Sequence, residues 1–182
     1  MCEPDEALVA QSQQGDLAAF EKLIRKHQRM IHSLTFRMTG SMADAEDLSQ
    51  ETFVRAYRNL AAYRADSKFS TWLYRIAINV CLNWRDRESV RAQTNRNWTE
   101  HQEIETDGSS NGGIEQLNAK LHAALLKLPA KQRAAVMLTM YDGMNHAEAA
   151  QVLNCSETTV SWRVFAAKRK LKHLLSRTGE RE

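Results

Sequence analysis

Between Thr106 and Gly113 the chain reads Thr-Asp-Gly-Ser-Ser-Asn-Gly-Gly, and this one run divides everything around it. Such residues offer no apolar stripe to bury, so the segment has the composition of a flexible linker. On both sides of it, apolar side chains recur at three- and four-residue spacing, the period of an amphipathic helix. No alternating strand pattern competes with that period. The sequence therefore predicts an all-α protein of two small helical domains joined by a linker, each with a modest core.

The first helical pattern opens after Asp16, a suitable N-cap, with Leu17, Phe20, Leu23, Ile24, Met30, Ile31 and Leu34 apolar, and stops near Gly40. A second starts at Ser41, where Ser41 and Asp44 have capping-box spacing, and carries Ala45, Leu48, Phe53, Ala56, Tyr57 and Leu60 on one face. After the polar loop Tyr63–Lys68, Phe69 and Tyr74 flank Ser70 as a hydrophobic staple flanks an N-cap. The third helix then runs through Trp72, Leu73, Ile76, Ala77, Val80 and Trp84 to about Arg87, and periodicity disappears between about Glu88 and Glu115.

Helical patterning resumes at Leu117, Leu121, Leu125 and Leu128, and Pro129 fits the first turn of a helix bearing Val136, Met137 and Met140 and ending at Gly143. Asn145 and Glu148 form a capping box for a short helix over about His146 to Leu153; Asn154-Cys155 makes a turn; Ser156 caps a longer helix with Val160, Val164, Ala167, Leu171 and Leu174 on its apolar face. A short helix, a tight turn and a basic helix make a helix-turn-helix.

Charge supports a polyanion partner for this last part. Cationic and acidic side chains balance at 12 each over residues 1–90, stand at 2 against 5 over 91–116, and at 11 against 5 from 117 onward. Cys2, Cys81 and Cys155 lack metal or disulfide spacing, and the six histidines read as scattered surface residues, so no metal site or cofactor is expected. The acidic N-terminus lacks the basic start of a secretory signal, and no apolar run approaches membrane-spanning length, which places the protein in the cytoplasm without membrane insertion. With no phosphate-cradling glycine loop, no H-E-x-x-H and no set of nucleophile, base and orienter, no catalytic residue is expected and the chain is read as a non-enzyme.

Three residue groups carry binding chemistry. Glu157, Thr158, Ser161, Trp162, Arg163, Phe165, Lys168 and Arg169 supply the polar and basic side chains that a helix in the major groove needs, against the alternative of a solvated basic face. Asp44, Asp47, Gln50 and Glu51 cluster on one helix face, which either docks a basic protein surface or is simply solvated. The loop Tyr63, Arg64, Ala65, Asp66, Ser67 and Lys68, with Asn79 beyond it, mixes the ring, amide and cation chemistry of single-stranded nucleic-acid binding. Trp72 and Trp84 are read as core residues and Tyr63 as the better stacking candidate.

The stretches Asp44-Ala45-Glu46-Asp47-Leu48-Ser49-Gln50-Glu51-Thr52-Phe53 and Phe69-Ser70-Thr71-Trp72-Leu73-Tyr74-Arg75-Ile76-Ala77-Ile78-Asn79 closely resemble the extracytoplasmic-function (ECF) sigma factors, and Leu128-Pro129, Tyr141-Asp142-Gly143 and the helix-turn-helix follow in that family's order. The resemblance implies a region 2 domain over 6–90, a flexible acidic linker over 91–116 and a region 4 domain over 117–177. It further implies a factor that binds core RNA polymerase and directs promoter-specific initiation. Asp44, Asp47, Gln50 and Glu51 would face the β′ clamp helices, the 63–68 loop with Asn79 would capture single-stranded minus-10 DNA, and the recognition helix would read duplex minus-35 DNA while its domain touches the β flap. An anti-sigma factor is the implied regulator. The linker, with Glu100, Glu103, Glu105 and Asp107, would thread toward the RNA exit channel or act as a plain tether.

The match departs from the family after Val160, where many members carry Lys or Arg and then Ser or Thr but this chain has Ser161 and Trp162. A stand-alone helix-turn-helix regulator and a protein-interaction adaptor are the other readings. Under the favoured one, the two domains are joined only weakly in isolation and are held at promoter spacing by polymerase.

Overall fold

The structure, a computed structural model, describes residues 3–94 and 113–179, with side chains described over 3–91 and 117–176. The acidic linker residues Glu100, Glu103, Glu105 and Asp107 lie outside the described residues. Eight α-helices and no strand occur among the described residues.

The region before the linker contains α1 (Asp5–Gln13), α2 (Leu17–Thr39), α3 (Met42–Asn59), a 3-10 turn over Leu60–Ala62, and α4 (Phe69–Thr94). Asp16 caps α2 by accepting the N–H groups of Ala18 at 2.8 Å and Ala19 at 3.1 Å, and Gly40 closes it in the left-handed region at φ 83°. The Ser41 hydroxyl then accepts the Asp44 N–H at 3.3 Å and starts α3. Leu23, Ile31, Leu34, Leu73 and Ile78 are fully buried where α2, α3 and α4 meet.

Three features differ from expectation. Helix α1 has too few apolar residues to register as a periodic pattern, yet Leu8 and Val9 are buried and Asp5 meets His27 at 2.9 Å (Oδ2 to Nε2). His27 is thus a buried strut between α1 and α2 rather than a surface histidine. Helix α4 begins at Phe69, not after Ser70: the Lys68 carbonyl accepts the Trp72 N–H at 3.1 Å, because the Phe69 ring is itself core, against His27, Tyr63 and Trp72. That helix also continues past Arg87 on a polar surface, with Arg91 and Glu88 paired at 2.7 Å.

After the linker come α5 (Gly113–Leu126), α6 (Ala130–Val136) continuing into a π-helical turn over Met137–Tyr141, α7 (His146–Leu153) and α8 (Glu157–Gly179). Asn145 and Glu148 exchange both capping-box bonds at 2.9 Å. Asn154 turns the chain at φ 47°, and the Ser156 hydroxyl accepts the Thr159 N–H at 3.2 Å to open α8. Val152, Val160 and Ala167 pack α7 on α8 beneath α6.

The two regions are packed together rather than standing apart. Helices α2 and α4 contact α5, α6 and α7, and Arg133 of α6 is 0% exposed between them.

Candidate nucleic-acid and polymerase interfaces

On α3, Asp44, Asp47, Gln50 and Glu51 share one side of the helix: Asp47 and Gln50 are exposed, Asp44 and Glu51 half-buried. Glu51 is held by Arg55 at 2.7 Å, whereas Asp47 presents its carboxylate to solvent. Next to them a groove of about 590 Å³ opens between α2 and α3, lined by Ile24, His32, Phe36, Met42, Gln50 and Phe53. Sequence reading missed this groove because Ile24 and Phe53 were absorbed into core stripes; Met42, which is exposed, was the available clue.

The 63–68 loop is more constrained than its composition suggests. Gln13 of α1 donates to the carbonyls of Leu60 at 2.9 Å and Tyr63 at 3.0 Å, pinning the loop's start. The Tyr63 hydroxyl donates to the Ser67 carbonyl at 2.6 Å, and its ring packs on Phe69 and Trp72. Burial raises its pKa above the ordinary phenol value, with Glu6, Asp5 and Asp66 adding to the effect. Tyr63 is therefore a strut inside the loop, not a free stacking ring. Arg64, Ala65, Asp66 and Lys68 are exposed around it, and Ala65 takes φ 57°.

Asn79 stands apart from the loop's tip, in a second groove of about 300 Å³ lined by Arg55, Asn59, Trp72, Arg75, Ile76 and Asn79. Two cations, two amides and one face of a half-buried indole meet here. Arg55 and Asn59 were not anticipated, since the polar side of α3 was read for its acidic residues and Gln50 alone. Trp72 serves both core and groove, which a core-or-site choice could not express.

Helix α8 carries an unbroken exposed stripe of Glu157, Thr158, Ser161, Trp162, Phe165, Lys168 and Arg169. Phe165 lies near its middle at 65% exposure, with Trp162 beside it at 62%. Arg163 is not on this stripe. It is half-buried on the other side of the helix, where Nη1 approaches Cys155 Sγ at 3.5 Å across the turn. The helical period places it with Val160 and Ala167, a consequence that counting cations along the sequence overlooks.

Residues 23–91 match Sigma-70 region 2 and residues 118–171 match Sigma-70, region 4. The RNA polymerase sigma-H factor of Pseudomonas aeruginosa is 33% identical over 182 residues, covering 95% of this chain and 94% of that protein. The ECF RNA polymerase sigma-E factor of Escherichia coli is 33% identical over 177 residues, covering 90% of each. Among solved structures, CnrH in complex with the cytosolic domain of CnrY has 28% identity and a TM-score of 0.70, over 96% of this chain and 98% of that one. The sigma factor RpoE in complex with the anti-sigma factor NepR from Bartonella quintana shares the fold at TM-score 0.69 and 22% identity, over 86% and 96% of the two chains.

The chain belongs to the ECF sigma factors of the sigma-70 family. It is a transcription-initiation protein, not an enzyme. No helix among the described residues is long and apolar enough to cross a membrane.

Proposed function

We propose that the chain divides its work as its surfaces divide. Asp44, Asp47, Gln50 and the neighbouring α2–α3 groove engage the β′ clamp helices of core RNA polymerase, with Glu51 acting through Arg55. The loop residues Arg64, Ala65, Asp66, Ser67 and Lys68, braced by Tyr63, hold minus-10 DNA as a single strand, and the Trp72–Asn79 groove receives the adjoining backbone and bases. The α8 stripe enters the major groove of the minus-35 element, Thr158, Ser161, Trp162 and Phe165 toward base edges and Lys168 and Arg169 toward phosphates. Its domain rests on the β flap. The protein works in the cytoplasm, and an anti-sigma factor that covers its polymerase-binding surface keeps it silent; the complexes of CnrH and of RpoE with their partners support such a regulator.

The observation that carries the promoter reading is the α8 stripe: seven exposed side chains in register on a capped helix, apolar and polar toward one end and basic toward the other. The test is transcription of a genomic fragment library by core polymerase with and without the protein, followed by sequencing of 5′ ends. Discrete dependent starts sharing two spaced upstream motifs are expected. Absence of dependent transcripts and of core binding would return the chain to a stand-alone regulator.

Two variants separate the functions. Asp47→Arg reverses an exposed charge on the docking face and is expected to weaken core binding by about ten-fold or more, with unchanged circular dichroism. Core affinity within two-fold of the parent would remove α3 from the docking face. Asn79→Ala deletes an exposed amide at a net cost of about 1 kcal/mol per lost hydrogen bond, or roughly five-fold in open-complex formation, while core binding is retained. Permanganate footprinting of the melted strand reads that loss directly.

A further inference from the structure

Cations come late on the outward face of α8. Over residues 157–167 the sequence holds one cation, Arg163, and its guanidinium turns away from the exposed stripe toward Cys155 Sγ at 3.5 Å. The first turns therefore present Glu157, Thr158, Ser161, Trp162 and Phe165 to solvent. Lys168, Arg169 and Lys172 follow on the same side. At 1.5 Å of rise per residue, Lys168 stands about 9 Å along the axis from Trp162.

That order decides which bases the helix can read. A recognition helix meets base edges with its N-terminal residues and phosphates with cations farther along. The commonest base contact, a guanidinium or ammonium on guanine O6 and N7, needs a cation in those first turns, and the outward face has none over residues 157–167. Hydroxyls such as those of Thr158 and Ser161 pair with any base and discriminate little. A Glu157 carboxylate accepts only from an exocyclic amino group, on cytosine or adenine. The major-groove feature that an apolar ring recognises is the C5 methyl of thymine.

Spacing and charge fit that contact. Residues three apart on a helix stand about 5–6 Å from each other at Cβ, against about 3.4 Å between neighbouring base pairs, so Trp162 and Phe165 reach methyls one or two steps apart. Both rings are exposed in the free chain and lose water when they cover methyls, so the contact adds affinity as well as selectivity. Duplex DNA also supplies phosphates for the three cations beside the rings, which an apolar protein surface does not.

We propose that α8 reads its upstream element through thymine methyls, Trp162 and Phe165 each covering one, while Glu157, Thr158 and Ser161 pair with the polar groups beside them and no guanine is read. Trp162, where the chain departs from its family, is then a specificity-determining residue. This rests on the minus-35 reading above and adds to it the identity of the bases: A·T pairs whose thymine methyls face the helix.

The test removes single methyl groups from the DNA. In a promoter fragment recovered by the transcript mapping above, each thymine of the upstream element is replaced in turn by deoxyuridine, which pairs identically and lacks only the C5 methyl. Run-off transcription by core polymerase with the full chain is expected to fall about four-fold at each of two thymines and about fifteen-fold with both replaced. Trp162→Ala, at an exposed position and checked by circular dichroism, should transcribe thymine and deoxyuridine templates equally at one of those two positions and keep its discrimination at the other; Phe165→Ala should show the converse. Replacing guanines of the element by 7-deazaguanine, which lacks the N7 acceptor, should change transcription by no more than about two-fold. Deoxyuridine without effect at every position overturns the proposal, and so does a loss above about five-fold with 7-deazaguanine. A Trp162→Ala variant that is weaker on all templates but still discriminates at both positions would assign the indole to a protein contact and overturn its role. In each of these cases transcription from the thymine template still stands as evidence for the minus-35 reading, whereas a chain that yields no dependent transcript from any fragment defeats that reading and this inference with it.

Discussion

Arg133→Met is expected to lower the stability of the helix-turn-helix region by about 2–4 kcal/mol, a large share of what so small a domain possesses. Arg133 donates through Nε to the Leu125 carbonyl at 2.9 Å and through Nη2 to the carbonyls of Leu126 and of Leu128, the latter at 3.2 Å, in addition to Met38. Three of those acceptors are at and just beyond the end of α5, where a helix leaves carbonyls unbonded, so this one side chain acts as the C-cap of α5 from inside the core. Methionine fills much of the volume but removes a donor from each of these carbonyls, and the Leu125 carbonyl keeps only the Leu128 N–H at 3.0 Å.

Loss of a buried cation works in the opposite direction. Burial, with Arg85 adding to it, pulls the guanidinium pKa well below its ordinary value, down to about 10. Because the folded pKa is the lower one, burying this charge costs stability at every pH below about 10, and the cost is relieved only as pH rises from there toward the ordinary guanidinium value. At neutral pH the group is protonated and makes all four contacts, so the loss of a donor to four carbonyls outweighs the relieved desolvation. Urea unfolding followed by far-UV circular dichroism measures the balance. A loss under about 1 kcal/mol would mean that α5 finds other partners for its end. Arg133→Lys should recover only part of the loss, since one ammonium cannot reproduce the planar fork.

What the sequence made legible follows from the range of each physical signal. Asp16, Ser41, Asn145, Ser156, Gly40 and Gly143 act within a turn of their own position, and the structure places helix ends at them as their chemistry dictates. Helix α1 was illegible because its role is to brace other elements: Asp5 through His27, and Gln13 through the 63–68 loop, are contacts with residues far along the chain. The packing of Tyr63 was hidden for the same reason, since a tyrosine in a polar loop looks free until Phe69 and Trp72 are folded against it. Arg133 carried no local mark of its burial, because the carbonyls that hold it become available only when α5 ends above it. The packing of α2 and α4 on α5, α6 and α7 was likewise out of reach: each stripe could satisfy a helix of its own region, and the linker composition argued for separation.

Phe165→Glu and Arg163→Ala should part company sharply, although cation counting along α8 would rank them the other way. Phe165 stands at the middle of the exposed stripe, where an apolar ring can meet a thymine methyl or the hydrophobic edge of a base. A carboxylate there loses that contact and meets phosphate repulsion, which together are worth about 2 kcal/mol, or roughly thirty-fold in transcription that depends on the upstream element. Arg163 turns toward Cys155 on the far side of the helix, so its removal should change upstream selectivity by no more than about two-fold while modestly lowering stability through the turn. Run-off transcription from one promoter fragment with an intact or scrambled minus-35 element separates the outcomes, because only a base-reading defect disappears when that element is scrambled. Equal losses for the two variants would mean that α8 meets DNA through a different face, and the roles given to Trp162, Ser161 and Thr158 would fall with it, since all of them depend on the same rotation of one helix.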